Sequence, residues 1–208
     1  MIYVMENLSL VTPQQAQKAR EIVTWQRRDY AAQYRFEKDQ KQSLFAFLLL
    51  RYGVYAEFGE TAPLLIDRSG GKPVLLHQPQ IRFNLSHCNN AVACAISRDE
   101  VGVDVQDWIV RQLSVAEQVC TPKELALLRQ EPEPEKLFAK IWTQKESYGK
   151  YTGRGIVYPM REHSFLRQVP EGLCMESFLM DGYALSYCAK EALEICMVTP
   201  EELLYETI

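Results

Sequence analysis

Apolar positions along the chain follow two rhythms. Leu44, Leu48, Tyr52 and Tyr55 recur at helical spacing, so a helix is predicted from about Asp39, a candidate cap, to about Phe58. A second helical stretch is predicted from roughly Pro13 to Tyr34. A third runs from about Glu135 to Tyr151 and stops at Gly153, with Phe138 and Trp142 at core spacing. Thr121-Pro122-Lys123-Glu124 combines a threonine cap, a first-turn proline and a glutamate three residues on, the pattern of a capping box. The shorter rhythm predicts strands at Ile2–Val4, Ala91–Ser97 and Val101–Val105, the last two joined by a tight turn at Arg98–Glu100. Leu173–Met180 and Tyr183–Ala189 flank Asp181-Gly182, a two-residue hairpin signal, and Glu194–Val198 is a final strand. Ser69-Gly70-Gly71-Lys72-Pro73 reads as a loop.

Each half thus offers a long helix and later short strands, with no sequence repeat and no flexible linker between them. The predicted class is α+β, built as two packed subdomains that divide near Val103–Trp108 (1–104 and 105–208), each with a small antiparallel sheet and a long helix.

Composition narrows the function classes. The chain has 208 residues, 47% hydrophobic and 24% charged, as expected of a protein with a real core. A net charge of −4 argues against a general nucleic-acid binder, which carries a basic stripe, though not against a local basic pocket. The start, MIYVMENLSL, lacks the basic region and cleavage site of a signal peptide, and the longest apolar run, Leu44–Leu50, is too short to span a bilayer. The six cysteines form no CxxC pair and read as buried thiols. A cytoplasmic protein with no nucleic-acid or membrane partner is expected.

Three segments stand out: Phe83-Asn84-Leu85-Ser86-His87, Gly102-Val103-Asp104-Val105-Gln106, and Trp142-Thr143-Gln144-Lys145-Glu146-Ser147 followed by Lys150. Singly, each has an ordinary reading. A strand-end aspartate commonly caps a turn, and Glu146 and Lys150, four apart on a helix, make a standard ion pair contributing about 0.3–0.5 kcal/mol. In this order, and behind Gly71-Lys72-Pro73, they resemble the Sfp-type 4′-phosphopantetheinyl transferases. That family is marked by a Gly-Lys-Pro loop, a Phe-Asn-(Ile/Leu)-Ser-His segment, a Gly-(Val/Ile)-Asp-(Val/Ile)-Glu strand and a Trp-x-x-Lys-Glu-(Ser/Ala)-x-x-x-Lys helix.

The resemblance implies a fold of two similar halves related by a pseudo-twofold axis, with the active site between them. It implies transfer of the 4′-phosphopantetheine arm of coenzyme A to a serine of an apo acyl or peptidyl carrier protein, releasing 3′,5′-ADP. Coenzyme A is then a substrate, and Mg2+ (or Mn2+) neutralises its diphosphate. Magnesium takes one or two carboxylates plus phosphate oxygens and waters, which Asp104 and Glu146 would supply. Glu146 has two candidate roles, metal ligand and general base. Lys150, one turn on, would contact phosphate oxygens as charge builds on the leaving group. The family's pattern gives Ser86 and His87 the 3′-phosphate, and gives Lys72 and Pro73 the nucleotide pocket. Arg27 and Ser43 resemble further phosphate contacts, although an exposed helix face is the simpler reading of Arg27 and Lys41 is an alternative.

Trp142 reads as an anchor of the catalytic helix, and Lys145 has no derivable role. His77 and His163 read as solvated. Position 106 departs from the family: Gln106 stands where a second acid is usual, so it would offer the metal its amide oxygen or hold a metal-bound water, in either case without charge. Two rival readings are a non-catalytic coenzyme A or nucleotide-binding protein and a magnesium-dependent phosphohydrolase. Lys123, Arg129 and Lys140 are candidates for carrier docking, and a monomer is expected.

Overall fold

The computed structural model describes residues 1–108, 114–154 and 159–205. Two compact units divide the chain, Met1–Asp99 with Leu193–Ile208, and Glu100–Ala192.

In the first unit, β1 (Ile2–Glu6) opens the chain and is followed by α1 (Pro13–Ile22) and α2 (Trp25–Ala32). These are two helices where one was predicted. Val23 is extended, and Thr24 restarts the helix by accepting a hydrogen bond from the Arg27 amide. A polar side chain that satisfies a free amide favours a new N-terminus over continuation. The long helix α3 (Glu37–Phe58) starts after Phe36, so Asp39 lies inside the first turn rather than capping it. It is buried on all sides from Gln42 to Leu50, which makes it the centre of this unit's core. Each such Leu or Phe contributes roughly 1.5–3 kcal/mol by leaving water.

A two-stranded ribbon, β2 (Ile66–Asp67) and β3 (Val74–Leu75), closes the glycine-rich loop. The hairpin β4 (Arg82–His87) and β5 (Ala91–Ser97) follows, with β5 antiparallel to β1. The Phe83–His87 segment is therefore a strand, which its mixed polarity conceals in the sequence.

In the second unit, β6 (Val101–Asp107) leads, after α4 (Ala116–Val119) and α5 (Pro122–Leu128), to the long helix α6 (Pro134–Thr152). The predicted capping box at Thr121 and Glu124 is present, and α6 ends at Gly153 with φ 72°, a left-handed cap that glycine adopts without strain. The hairpin β7 (Cys174–Leu179) and β8 (Tyr183–Ala189) completes a three-stranded antiparallel sheet in the order β6-β8-β7. Helix α6 packs across it.

Finally β9 (Ile195–Met197) returns to pair in parallel with β1, giving the first unit the order β4-β5-β1-β9, and α7 (Pro200–Leu203) follows. Three features differ from expectation. The first unit's sheet is mixed rather than wholly antiparallel. Strands β5 and β6, predicted as neighbours across a tight turn, belong to different sheets. The division falls at Asp99/Glu100 rather than at 104/105, and the tail belongs to the first unit, because β6 pairs along its length with β8 while β9 pairs with β1. Both units share one order of elements: a first strand, a long helix, and a hairpin whose last strand pairs antiparallel with the first.

Candidate active site

Strand alternation puts Gly102, Asp104 and Gln106 on one face of β6. Their cross-strand partners on β8 are Cys188, Ser186 and Ala184. Helix α6 lies against this face, and Gly102 shows how closely. A Cβ there would meet the Ser147 carbonyl oxygen at 2.0 Å and the Tyr151 amide nitrogen at 2.5 Å, both helix backbone. Only glycine allows that approach. Ser186 fixes the same contact through its hydroxyl, 2.7 Å from Thr143 Oγ1 on α6 and 2.8 Å from Ser177 Oγ on β7.

Thr143, Glu146, Ser147 and Lys150 recur at helical spacing, so the face of α6 turned to β6 carries the two ionisable motif residues. Lys150 Nζ donates to Asp104 Oδ1 at 2.7 Å and to the Val103 carbonyl at 3.0 Å. The pair that looked like an exposed Glu146–Lys150 bridge is thus drawn into tertiary structure: Lys150 binds Asp104, which is only 6% exposed. Burial lifts the Glu146 carboxyl above its ordinary range, the charge of Asp104 adds to the rise, and the Lys150 ammonium opposes it. Two carboxylates therefore repel one another beside one cation. Gln106, on the same strand face and half-buried, adds a neutral amide.

For a divalent cation the donor set is short. Among the described residues no group of three or more His, Cys, Asp or Glu converges. Asp104 and Glu146 nevertheless fit a hard cation that takes one or two carboxylates and completes its shell with phosphate oxygens and water. Their mutual repulsion is what such a cation would relieve.

The residue next to Glu146 faces elsewhere. Lys145 is fully buried; its Nζ donates to Glu124 Oε2 at 2.7 Å, to the Met160 carbonyl at 2.8 Å and to the Val119 carbonyl at 2.9 Å. Glu124 Oε2 also accepts from the Thr121 amide at 2.7 Å, so the α5 capping box and the α6 lysine share one carboxylate. Trp142 packs on Phe138 with ring centroids 6.0 Å apart, as an anchor would.

The residues expected to hold coenzyme A lie in the first unit. Lys72 and Pro73 lead into β3, and Ser86 and His87 end β4, Ser86 buried and His87 exposed. Arg27 and Ser43 do come together, but inside the protein. Arg27 is 5% exposed, which corrects the exposed-face reading. Its Nε and Nη2 donate to the Ser43 carbonyl, and its guanidinium stands over the Tyr30 and Phe47 rings. Desolvation lowers its pKa to about 10. Lys41 pairs with Glu37 on α3. His77 is exposed as expected, and His163, also exposed, stacks on Phe165. Sequence reasoning missed the roles of Gly102 and Glu124. Gly102 lay in view inside its motif, and Glu124 was visible only as a helix cap.

Comparison with known proteins bears on both halves of the chain. A family model described as 4′-phosphopantetheinyl transferase, N-terminal, matches residues 11–99, and one described as the 4′-phosphopantetheinyl transferase superfamily matches 100–188. The two meet where the structural units divide. The chain is similar to 4′-phosphopantetheinyl transferase psf-1 of Bacillus pumilus, 29% identical over 148 residues (69% of this chain, 64% of the relative). A 4′-phosphopantetheinyl transferase of Bacillus subtilis is 23% identical over 152 residues (68% and 65%). The 4′-phosphopantetheinyl transferase Sfp of Bacillus subtilis strain 168 is 24% identical over 198 residues (86% and 88%). The match spans just under two thirds of the length of the first two relatives and most of the third. With both halves matched in order, the chain belongs to the 4′-phosphopantetheinyl transferase superfamily, among the Sfp-type enzymes.

Proposed function

We propose that this protein transfers the phosphopantetheine arm of coenzyme A to a serine hydroxyl of an apo acyl or peptidyl carrier protein. The observation that carries the reading is the apposition of α6 on β6, which joins Asp104, Glu146 and Lys150 into one half-buried acid–base cluster.

The serine oxygen attacks the β-phosphorus of the coenzyme A diphosphate, the bond to the bridging oxygen breaks, and 3′,5′-ADP leaves. Glu146 takes the serine proton; burial and the neighbouring Asp104 carboxylate hold its pKa above the ordinary carboxylate range, which makes it a stronger base than an exposed glutamate. Lys150, with two of its three donors on Asp104 and Val103, keeps the Asp104 carboxylate in place and has a third donor for a phosphate oxygen. Asp104, Glu146 and the Gln106 amide would hold magnesium, which when bound supplies charge neutralisation of the diphosphate. Burial beneath α6 strengthens these electrostatic contacts by lowering the local dielectric. Ser86, His87 and Lys72 are assigned to the nucleotide end of coenzyme A by their place in the family's motifs.

The test is incubation with coenzyme A, magnesium and an apo carrier, with the carrier followed by intact-mass measurement. A transferase adds one phosphopantetheine arm. A hydrolase consumes coenzyme A with no carrier present, and a non-catalytic binder does neither.

A further inference from the structure

Lys150 is a fixed charge and not a mobile surface lysine. Its Nζ lies 2.7 Å from Asp104 Oδ1, and a second bond, 3.0 Å to the Val103 carbonyl, holds it there. The two side chains are only 24% and 8% exposed, so salt and water screen the pair poorly. The helix that carries Lys150 is seated on the strand as closely as a backbone can be, because Gly102 leaves no side chain between them.

This arrangement is poorly charged for a divalent cation. Asp104 and Glu146 bring two negative charges, Lys150 cancels one of them, and Gln106 brings none. Lys145, the neighbouring lysine of α6, does not alter the sum because it is committed to Glu124. Hard cations are held by charged oxygen ligands, and one of the few on offer, Asp104 Oδ1, is already bound to an ammonium. That ammonium repels a second cation, and the low local dielectric strengthens the repulsion. The diphosphate of coenzyme A reverses the balance. It brings negative oxygens to the metal and gives the third donor of Lys150 an acceptor.

Resting on the transferase reading, we propose that Lys150 bars magnesium from the free protein, so that the metal enters together with coenzyme A and not before it. The two ligands are then thermodynamically coupled. Coenzyme A raises the affinity for magnesium, and magnesium raises the affinity for coenzyme A by the same factor. Lys150 acts with opposite sign in the two states: it opposes the metal alone and favours the metal accompanied by the diphosphate.

The experiment is calorimetric titration with magnesium of wild type, Lys150→Arg, Lys150→Met and Gln106→Glu. Each is titrated alone and when saturated with coenzyme A, with no carrier present. Wild type and Lys150→Arg should bind magnesium weakly alone and at least about fivefold more tightly with coenzyme A, the lower end of usual coupling between sites. Lys150→Met loses a phosphate contact, yet it should bind magnesium alone about tenfold more tightly than wild type does, equivalent to about 1.4 kcal/mol. Magnesium alone should then raise the melting temperature of Lys150→Met and leave that of wild type unchanged. Gln106→Glu adds a charge with Lys150 in place and should tighten magnesium binding in the same direction, so it decides the matter should Lys150→Met fail to fold. Magnesium binding as tight to free wild type as to its coenzyme A complex overturns the proposal. So does a folded Lys150→Met or Gln106→Glu protein whose affinity for magnesium alone is unchanged. Equal tightening by Lys150→Arg also overturns it, since the cause would then be shape and not charge. A wild type that binds no coenzyme A, with or without magnesium, removes the transferase reading instead.

Discussion

Gly102 of β6 lies directly beneath Ser147 of α6, so close that a methyl group at 102 would sit 2.0 Å from the Ser147 carbonyl oxygen. This contact sets the distance between the strand that carries Asp104 and the helix that carries Glu146 and Lys150. Gly102→Ala must push helix backbone, which cannot yield as a flexible side chain does. Overpacking of this kind costs about 1–3 kcal/mol. Denaturant melts should show that loss, and transfer activity should fall by more than the small unfolded fraction explains. A variant as active as wild type would show that the apposition is not needed.

The Lys145–Glu124 pair gives a sharper stability test, since both side chains are about 1% exposed. Lys145→Met leaves the Glu124 carboxylate buried without its cation and should destabilise by about 3–5 kcal/mol. Removing both charges, as Lys145→Met/Glu124→Leu, should recover much of that, because the pair's own desolvation cost is removed too. Chemical denaturation of the two single variants and the double variant checks this. Additive losses would contradict it.

Much of the scaffold was legible in the sequence. The capping box at Thr121, the Gly153 stop of α6 and the Asp181-Gly182 hairpin are local signals, set by residues within a turn of each other, and each stands where it was predicted. The partners of strands were not legible. Nothing near Ile195 says that it will pair with Ile2, and the β5–β6 turn signal is indifferent to which sheet each strand joins. The same limit applies to the site. Asp104, Glu146 and Lys150 were identified from motif order. That Lys150 binds Asp104, and that Lys145 turns inward to Glu124, depends on the rotation of α6 against β6 and α5. Arg27 was misread because a charged residue on a short polar helix looks solvated until the packing of Phe47 and Ser43 around it is known.

Arg27 and His87 should therefore behave differently toward ligands. Arg27→Met should lower the melting temperature and weaken coenzyme A and 3′-dephospho-coenzyme A alike, since its guanidinium is engaged with Ser43. His87→Ala should leave folding intact and weaken coenzyme A selectively, by roughly 1.5–3 kcal/mol for a charge-assisted hydrogen bond. Calorimetry with both ligands decides. Equal weakening by His87→Ala would remove it from the 3′-phosphate.

Glu146 predicts a pH-dependent trade between stability and function. Its folded pKa is raised, so between the ordinary carboxylate range and the raised value the folded state holds more proton than the unfolded one. Stability then falls as pH rises through that window. In metal-free buffer Glu146→Gln should melt above wild type at neutral pH, and the difference should shrink on acidification. Because Asp104 contributes to the rise, Asp104→Asn should narrow the window. A melting difference that does not change with pH would contradict the assignment.

If Glu146 is the base of a phosphopantetheine transfer, its loss will show in the intact mass of an apo carrier protein. Wild type and a folded Glu146→Gln variant are each incubated with coenzyme A and saturating magnesium, and the carrier is sampled over time. Wild type should convert the carrier to the species heavier by one phosphopantetheine arm, and the variant should be slower by about 10²–10⁴-fold, the usual contribution of general-base action. Conversion at equal rates would remove Glu146 from the role of base, and no conversion by wild type of any apo carrier supplied would remove the transfer itself.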